Sequence, residues 1–314
     1  MKIWVTESKN YSEMALSVYR QLGEVLLRFP SREELINQVI DVDCLVVRLF
    51  HSIDREILQA AKQLKYIVSP TTGLDHIDLE AAKESSVEVI SLKEEYEFLA
   101  TIPATAELTW GLLLSVMRKI KPAALNVEKG EWNRDLFFGR NLKGKNLGIL
   151  GFGRVGKQVS KYAETFECNV GVFDSKKIAT NGKRFKIFDH IEELLEWSEI
   201  LCIHLSLNED SVGFLNEERL NLMRRGIVLI NTSRSAVWDE GALVERFKAG
   251  LISGIASDVL AHEHAGISIS ESPLFQLSRK VENVLVTPHI GGATVESMSD
   301  TEEFVAQKLS KTYR

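Results

Sequence analysis

Short apolar runs alternate with longer amphipathic stretches along almost the whole chain, and this alternation constrains the fold more than any single residue. Apolar runs buried on both faces are strands of a parallel sheet, and parallel strands need a crossover between them, usually a helix. The chain therefore reads as α/β. In its first part the strands fall at Lys2–Val5, Cys44–Arg48, Lys65–Ser69 and Val87–Ser91. Ser31-Arg32-Glu33-Glu34 has the spacing of a capping box and starts a helix running to about Ile40. A strongly apolar helix follows from about Ala104 to Met117, then an irregular segment from Lys121 to Lys145 carrying Trp132, Phe137 and Phe138. Those aromatic side chains either form an arm on a second subunit or pack on their own domain. Alternation resumes with strands at Asn146–Gly151, Asn169–Phe173, Ile200–Leu205, Gly226–Thr232, Ser253–Asp258 and Asn283–Thr287. The last helix, about Thr294 to Lys311, has no strand after it. A chain of 314 residues has room for two domains, and a cleft between two sheets is where a small ligand is expected to bind.

Composition removes several function classes. The 38 basic residues against 44 acidic ones give a formal charge of −6, which opposes a phosphate-backbone partner, so no nucleic acid is expected. No apolar run approaches the roughly 18 residues of a membrane helix, and the N-terminus turns polar at once, so a cytoplasmic protein without a membrane partner is expected. Cys44, Cys168 and Cys202 are widely spaced and fit no zinc or redox motif, which points to reduced thiols. His262-Glu263-His264 lacks the helical spacing of a metalloenzyme, so no metal is expected either.

Gly151-Phe152-Gly153-Arg154-Val155-Gly156 places G-x-G-x-x-G directly after a strand and at the mouth of a helix. The first glycine allows the tight turn, the second lets a pyrophosphate approach the backbone, and the third lets helix and strand pack closely. Asp174 ends the next strand 18 residues beyond Gly156, near the ~20 expected of a ribose-binding carboxylate. That pairing favours NAD as cofactor, although Lys176 and Lys177 offer cations that would tolerate the extra phosphate of NADP.

Later strands of the same block end in polar clusters: Asn231-Thr232-Ser233-Arg234, then Asp258 with Glu263 a few residues on, then Thr287-Pro288-His289-Ile290-Gly291-Gly292. Ligands of open α/β sheets bind beyond the carboxyl ends of the strands, so these are the residues expected at a site. These clusters, with Thr72-Gly73-Leu74-Asp75-His76-Ile77-Asp78, Thr105-Ala106-Glu107 and the glycine loop, resemble the D-isomer-specific 2-hydroxyacid dehydrogenases over nearly the whole chain. The short form of a phosphoglycerate dehydrogenase-like member is the nearest pattern, with no regulatory domain expected after Arg314.

The resemblance implies a Rossmann dinucleotide-binding domain over 101–291 and a smaller flavodoxin-like α/β substrate domain formed from both chain ends, 1–100 and 292–314. It implies an NAD-dependent enzyme moving a hydride between nicotinamide and C2 of a small D-2-hydroxy or 2-keto acid. Arg234, Glu263 and His289 fall on the catalytic positions. Imidazole chemistry suits proton exchange with the substrate hydroxyl, a carboxylate suits orienting the imidazole, and a guanidinium suits holding a carboxylate. Leu205, Ser206, Thr232, Asp258 and Gly291 are implied to line the cofactor, Asp258 at the nicotinamide carboxamide, and the backbone of Thr72, Gly73 and Leu74 to bind the substrate carboxylate. Arg48 resembles a strand-end arginine that meets a substrate phosphate, which suggests D-3-phosphoglycerate; an arginine facing solvent is the alternative. A homodimer through 104–145 is expected. Two other readings stay open: an NAD(H)-sensing corepressor-like binding protein, and a dehydrogenase of a larger hydroxy acid in secondary metabolism. Ser206, Ser235, His264 and Thr101 depart from the family pattern without removing a catalytic group.

Overall fold

The computed structural model describes residues 1–178, 185–261, 263 and 268–313. Contacts divide the chain into two units, Met1–Ile102 with Ala293–Arg314, and Pro103–Gly292.

In the first unit the described strands are β1 (Lys2–Val5), β2 (Glu24–Leu27), β3 (Cys44–Val46), β4 (Tyr66–Ser69) and β5 (Glu88–Ser91). They pair in parallel in the order β2-β1-β3-β4-β5. Strand alternation sends Trp4, Leu45, Val47 and Ile67 into one layer and Ile3, Val5, Cys44, Val46 and Val68 into the other. The helix Val295–Tyr313 closes the second layer with Val305, Ala306 and Leu309, all fully buried. Each large side chain buried this way stabilises the unit by about 1.5–3 kcal/mol, which is why a helix at the far end of the sequence returns to the first strands. The sequence pattern did not reveal β2, whose residues are exposed or half-buried because an edge strand has one neighbour. The capping box at Ser31 and Glu34 forms reciprocally.

The second unit holds β6 (Asn146–Leu150), β7 (Asn169–Phe173), β8 (Phe185–Ile187), β9 (Ile200–Ile203), β10 (Ile227–Asn231), β11 (Ile252–Ser257) and β12 (Val284–Val286). Their parallel order is β12-β11-β10-β9-β6-β7-β8, so the direction of winding reverses between β6 and β9. This is the doubly wound Rossmann arrangement. Leu147, Ile149, Cys202 and Ile230 face one layer, and Leu150, Leu201, Ile203 and Leu229 face the other. Edge strand β8 is another that the sequence pattern did not reveal.

Two expectations need correction. The segment 121–145 is not irregular throughout: a helix occupies Ile120–Glu128, with Pro122 tolerated in the first turn where its missing N–H costs nothing, and a 3₁₀ turn follows at Arg134–Leu136. Trp132 and Phe138 stay 89% and 72% exposed, so they do not pack on their own unit. Apolar length was also underestimated: Tyr96–Met117 reaches the length and mean hydropathy, 1.3, of a membrane span. Half of that window is buried, and Ala106, Trp110 and Leu113 pack with Ile149 and Ile230, as in a core helix.

Candidate active site

Backbone geometry of the glycine loop follows from what each glycine lacks. Gly151 has φ +91, and a Cβ there would lie 2.6 Å from the carbonyl oxygen of His204. A Cβ on Gly156 would lie 2.2 Å from the Gly151 carbonyl oxygen, whereas one on Gly153 would meet nothing within 4 Å. Gly153 thus opens onto free space at the start of the helix Arg154–Thr165, whose first amides have no side-chain cap. That is the cradle a pyrophosphate needs: close backbone approach and a helix N-terminus pointing at the anion. Asp174, half-buried just past β7, takes the Phe152 N–H at 2.7 Å on one oxygen and the Lys176 N–H at 2.8 Å on the other. Its carboxylate is fixed beside the loop, with lone pairs left for ribose hydroxyls. Arg154 and Val155 are half-buried in the first turn, and burial pulls the Arg154 guanidinium below its ordinary basicity.

On the other side of the winding reversal, β10, β11 and β12 end at the same edge of the sheet. Asn231, fully buried, accepts from the Ser233 N–H and hydroxyl at 2.9 and 2.8 Å and donates to the Arg234 carbonyl at 3.0 Å. This knot holds the Thr232–Arg234 turn, and the Arg234 guanidinium itself donates to the Ser233 carbonyl at 2.8 Å. His289 follows β12. Its Nδ1 lies 3.2 Å from Oε1 of Glu263, and both side chains are mostly buried. The sequence pair Glu263 and His289 therefore meets in space, and Arg234 follows β10, a strand two places from β12 in the sheet.

Asp258 binds the loop that follows β12. Its carboxylate takes the Thr287 hydroxyl at 2.6 Å, the Ile290 N–H at 2.9 Å and the Gly291 N–H at 2.6 Å. Its carbonyl takes the His289 N–H at 2.9 Å. The side chain expected at the nicotinamide carboxamide is thus occupied with the loop that carries His289, and Gly291 serves the close approach to Asp258, where a Cβ would stand 3.0 Å from the carboxylate. Glu240 plays a similar part for Glu263: buried on its helix, it accepts from the Ala261 N–H and the Ser272 hydroxyl, both at 2.8 Å. Sequence reasoning missed Glu240, and the only signal was an acid in the first turn of an amphipathic helix.

Leu205 and Ser206 follow β9 beside His204. Its ring is buried, its Nδ1 lies 3.4 Å from the Thr232 hydroxyl, and that hydroxyl lies 2.7 Å from Thr109. Its Nε2 is buried and finds no hydrogen-bond partner among the described residues. Burial, helped by the nearby Arg154 charge, lowers its pKa to about 3, so the imidazole is neutral. A buried orphan nitrogen under the glycine loop is consistent with a site made for a polar group. His262 and His264 lie outside the described residues.

The remaining candidates belong to the first unit. Thr72, Gly73 and Leu74 form a turn after β4, braced by the Thr71 hydroxyl donating to the Gly73 carbonyl at 2.8 Å and by Ser69 between Thr71 and His76. Arg48 neither faces solvent nor offers a free guanidinium. Its Nε donates to Oε1 of Glu302 at 2.9 Å, Nη2 bonds the same carboxylate, and Nη1 donates to the Lys9 carbonyl at 3.1 Å. Glu302 is fully buried, and a buried carboxylate needs a paired cation. Arg48 therefore already serves Glu302 within the first unit.

Residues 110–291, more than half of the chain, match the family model of the D-isomer specific 2-hydroxyacid dehydrogenase, NAD binding domain. The chain is 33% identical to D-3-phosphoglycerate dehydrogenase of Methanocaldococcus jannaschii over 100% of its own length, and spans 58% of that longer protein. It is 32% identical to glyoxylate reductase of Thermococcus litoralis, covering 98% of this chain and 92% of the relative. Among solved structures, the NAD⁺-bound 3-phosphoglycerate dehydrogenase of Entamoeba histolytica superposes with a TM-score of 0.79 at 27% identity, over 100% of this chain and 95% of that one.

Proposed function

The chain belongs to the D-isomer-specific 2-hydroxyacid dehydrogenase family, and we propose that it is an NAD-dependent enzyme of a small D-2-hydroxy or 2-keto acid. When bound, the nicotinamide would give or take the hydride at C2 of the substrate. The residues present fit that cofactor: the open space at Gly153 and the uncapped helix start suit its phosphates, and Asp174 suits its adenine ribose. Lys176 and Lys177 stand near enough in sequence to Asp174 that NADPH belongs in any test.

The observation that carries the reading is the 3.2 Å approach of His289 to Glu263 at the edge of the sheet that also bears the glycine loop and Arg234. Glu263 orients the imidazole, so that His289 can give a proton to the keto oxygen in reduction and take it back in oxidation. Arg234 holds the substrate carboxylate through two parallel donors and draws charge from the carbonyl. Asp258 and Glu240 keep the two catalytic side chains in place without touching the substrate themselves. Arg48 gives a phosphorylated substrate no support, because its charge is matched by Glu302. We further infer that the exposed Trp132 and Phe138 are covered by a second copy of the chain.

Reduction of glyoxylate, hydroxypyruvate and pyruvate, followed by NADH and NADPH absorbance side by side, tests the proposal. His289→Ala is expected to lower kcat about 10²–10⁴-fold, the usual contribution of a general acid. Arg234→Lys is expected to lower kcat/KM, since an ammonium cannot reproduce the planar fork. Tight NADH binding with no turnover of any keto acid would instead mark a cofactor-sensing protein.

A further inference from the structure

At the amino edge of the sheet in the second unit, the edge away from the glycine loop, four cations line one hollow. Lys145 precedes β6, Glu199 precedes β9, and Arg224 and Arg225 precede β10, while Arg140 joins them from the segment before β6. The backbone fixes their places. Arg140 donates its N–H to the Met117 carbonyl at 2.8 Å, at the end of the helix Ala104–Met117, and a Cβ on the neighbouring Gly139 would lie 2.5 Å from that same oxygen. Gly226, with φ +84, turns the chain from the two arginines into β10, and its N–H donates to the Leu251 carbonyl at 2.7 Å.

The charges of this hollow do not cancel. Lys145 and Glu199 satisfy each other at 2.8 Å, and the second oxygen of Glu199 takes the Asn146 N–H at 3.2 Å. Among the described residues no other acid lines the hollow, and no carboxylate forms an ion pair with the guanidinium of Arg140, Arg224 or Arg225. In a chain of net charge −6 that surplus is a local feature. The carbonyl end of the nearby helix offsets only about half a charge. Met117, Ile200 and Val228 form a buried apolar floor, and a low-dielectric wall beneath charges of one sign concentrates their field. The cavity measures about 140 Å³, several times the ~30 Å³ of a water molecule, which is room for one or two phosphate groups. Guanidinium forks match phosphate oxygens two at a time. The glycine loop lies beyond the other end of the 5-residue β6, roughly 17 Å away, so the two sites are separate.

We propose that Arg140, Arg224 and Arg225 form a second anion site, apart from the cofactor cradle, for a small free metabolite carrying one or two phosphate groups. The second unit supplies every residue of the site, and an anion held there stabilises the folded chain by mass action. The site does not depend on the dehydrogenase reading.

Inorganic pyrophosphate is the probe, titrated by calorimetry into the full chain with NADH in excess to occupy the glycine loop, and with KCl holding the ionic strength constant. Binding is expected with a Kd below about 1 mM, together with a rise in melting temperature that KCl at equal ionic strength does not give. The double variant Arg224→Gln, Arg225→Gln, and separately Arg140→Gln, are each expected to raise that Kd about tenfold or more, since charge-assisted hydrogen bonds are lost. All three side chains are exposed, so without pyrophosphate the variants should melt like the parent. Binding that the variants leave unchanged, a response that KCl equals, or no binding at all overturns the site. Failure to turn over any keto acid overturns the dehydrogenase reading and leaves this site standing.

Discussion

The backbone of His289 is left-handed, with φ 52, a conformation that costs a residue with a Cβ about 1–2 kcal/mol. Asp258 holds this loop by accepting four hydrogen bonds, the His289 N–H on its carbonyl and the Thr287 hydroxyl, Ile290 N–H and Gly291 N–H on its carboxylate. Strain of this kind persists only where surrounding contacts fix it, and it aims one imidazole at Glu263. His204 shows the opposite use of burial, since its ring is kept neutral. Folding lowers its pKa from 6.5 to about 3, so between those values the unfolded chain binds more protons. The stability this contributes is complete above pH 6.5 and is lost as pH falls toward 3, amounting to about 2–3 kcal/mol by pH 4.5. Urea midpoints at pH 7 and pH 4.5 should therefore converge more closely in His204→Gln than in the parent; an equal acid loss in both would remove His204 from the account.

At the scale of the element, the glycine loop separates folding from binding. Gly156 permits the helix Arg154–Thr165 to lie against the turn, and a methyl group there would press into the Gly151 carbonyl. Gly153 permits nothing within the chain, because its Cβ position is open and its φ of −75 suits any residue. Gly156→Ala is thus expected to destabilise the protein by about 1–3 kcal/mol. Gly153→Ala should leave the melting temperature nearly unchanged while weakening NADH binding, read by titration of NADH fluorescence. A Gly153→Ala variant that binds NADH as the parent does would show that the phosphates lie elsewhere. Edge strands β2 and β8 mark what this scale hides from the sequence: with one paired neighbour and half-exposed residues, they lack the continuous apolar run that announces a central strand.

At the scale of the whole molecule, large apolar side chains left in water ask for a covering surface. Trp132, Leu136 and Phe138 project from one segment of the second unit, with Leu125 and Val127 of the preceding helix also exposed. A second copy is the partner proposed here. Sedimentation velocity should give twice the 35.4 kDa chain mass, and a Trp132→Ala, Phe138→Ala double variant should shift the population toward monomer. A monomeric parent protein would end that proposal.

Local period and local spacing determined a good part of this protein. Alternating apolar runs gave the α/β class, and G-x-G-x-x-G followed by Asp174 marked the dinucleotide fold, because turn, strand and helix signals act within a few residues. Long-range pairing was decided only in three dimensions. Glu302 captures Arg48 across 254 residues of sequence, Asp258 spends its carboxylate on the His289 loop, and Glu240 anchors the segment carrying Glu263. A buried charge must find a partner wherever packing places one, and no periodicity in the chain records which residue that will be.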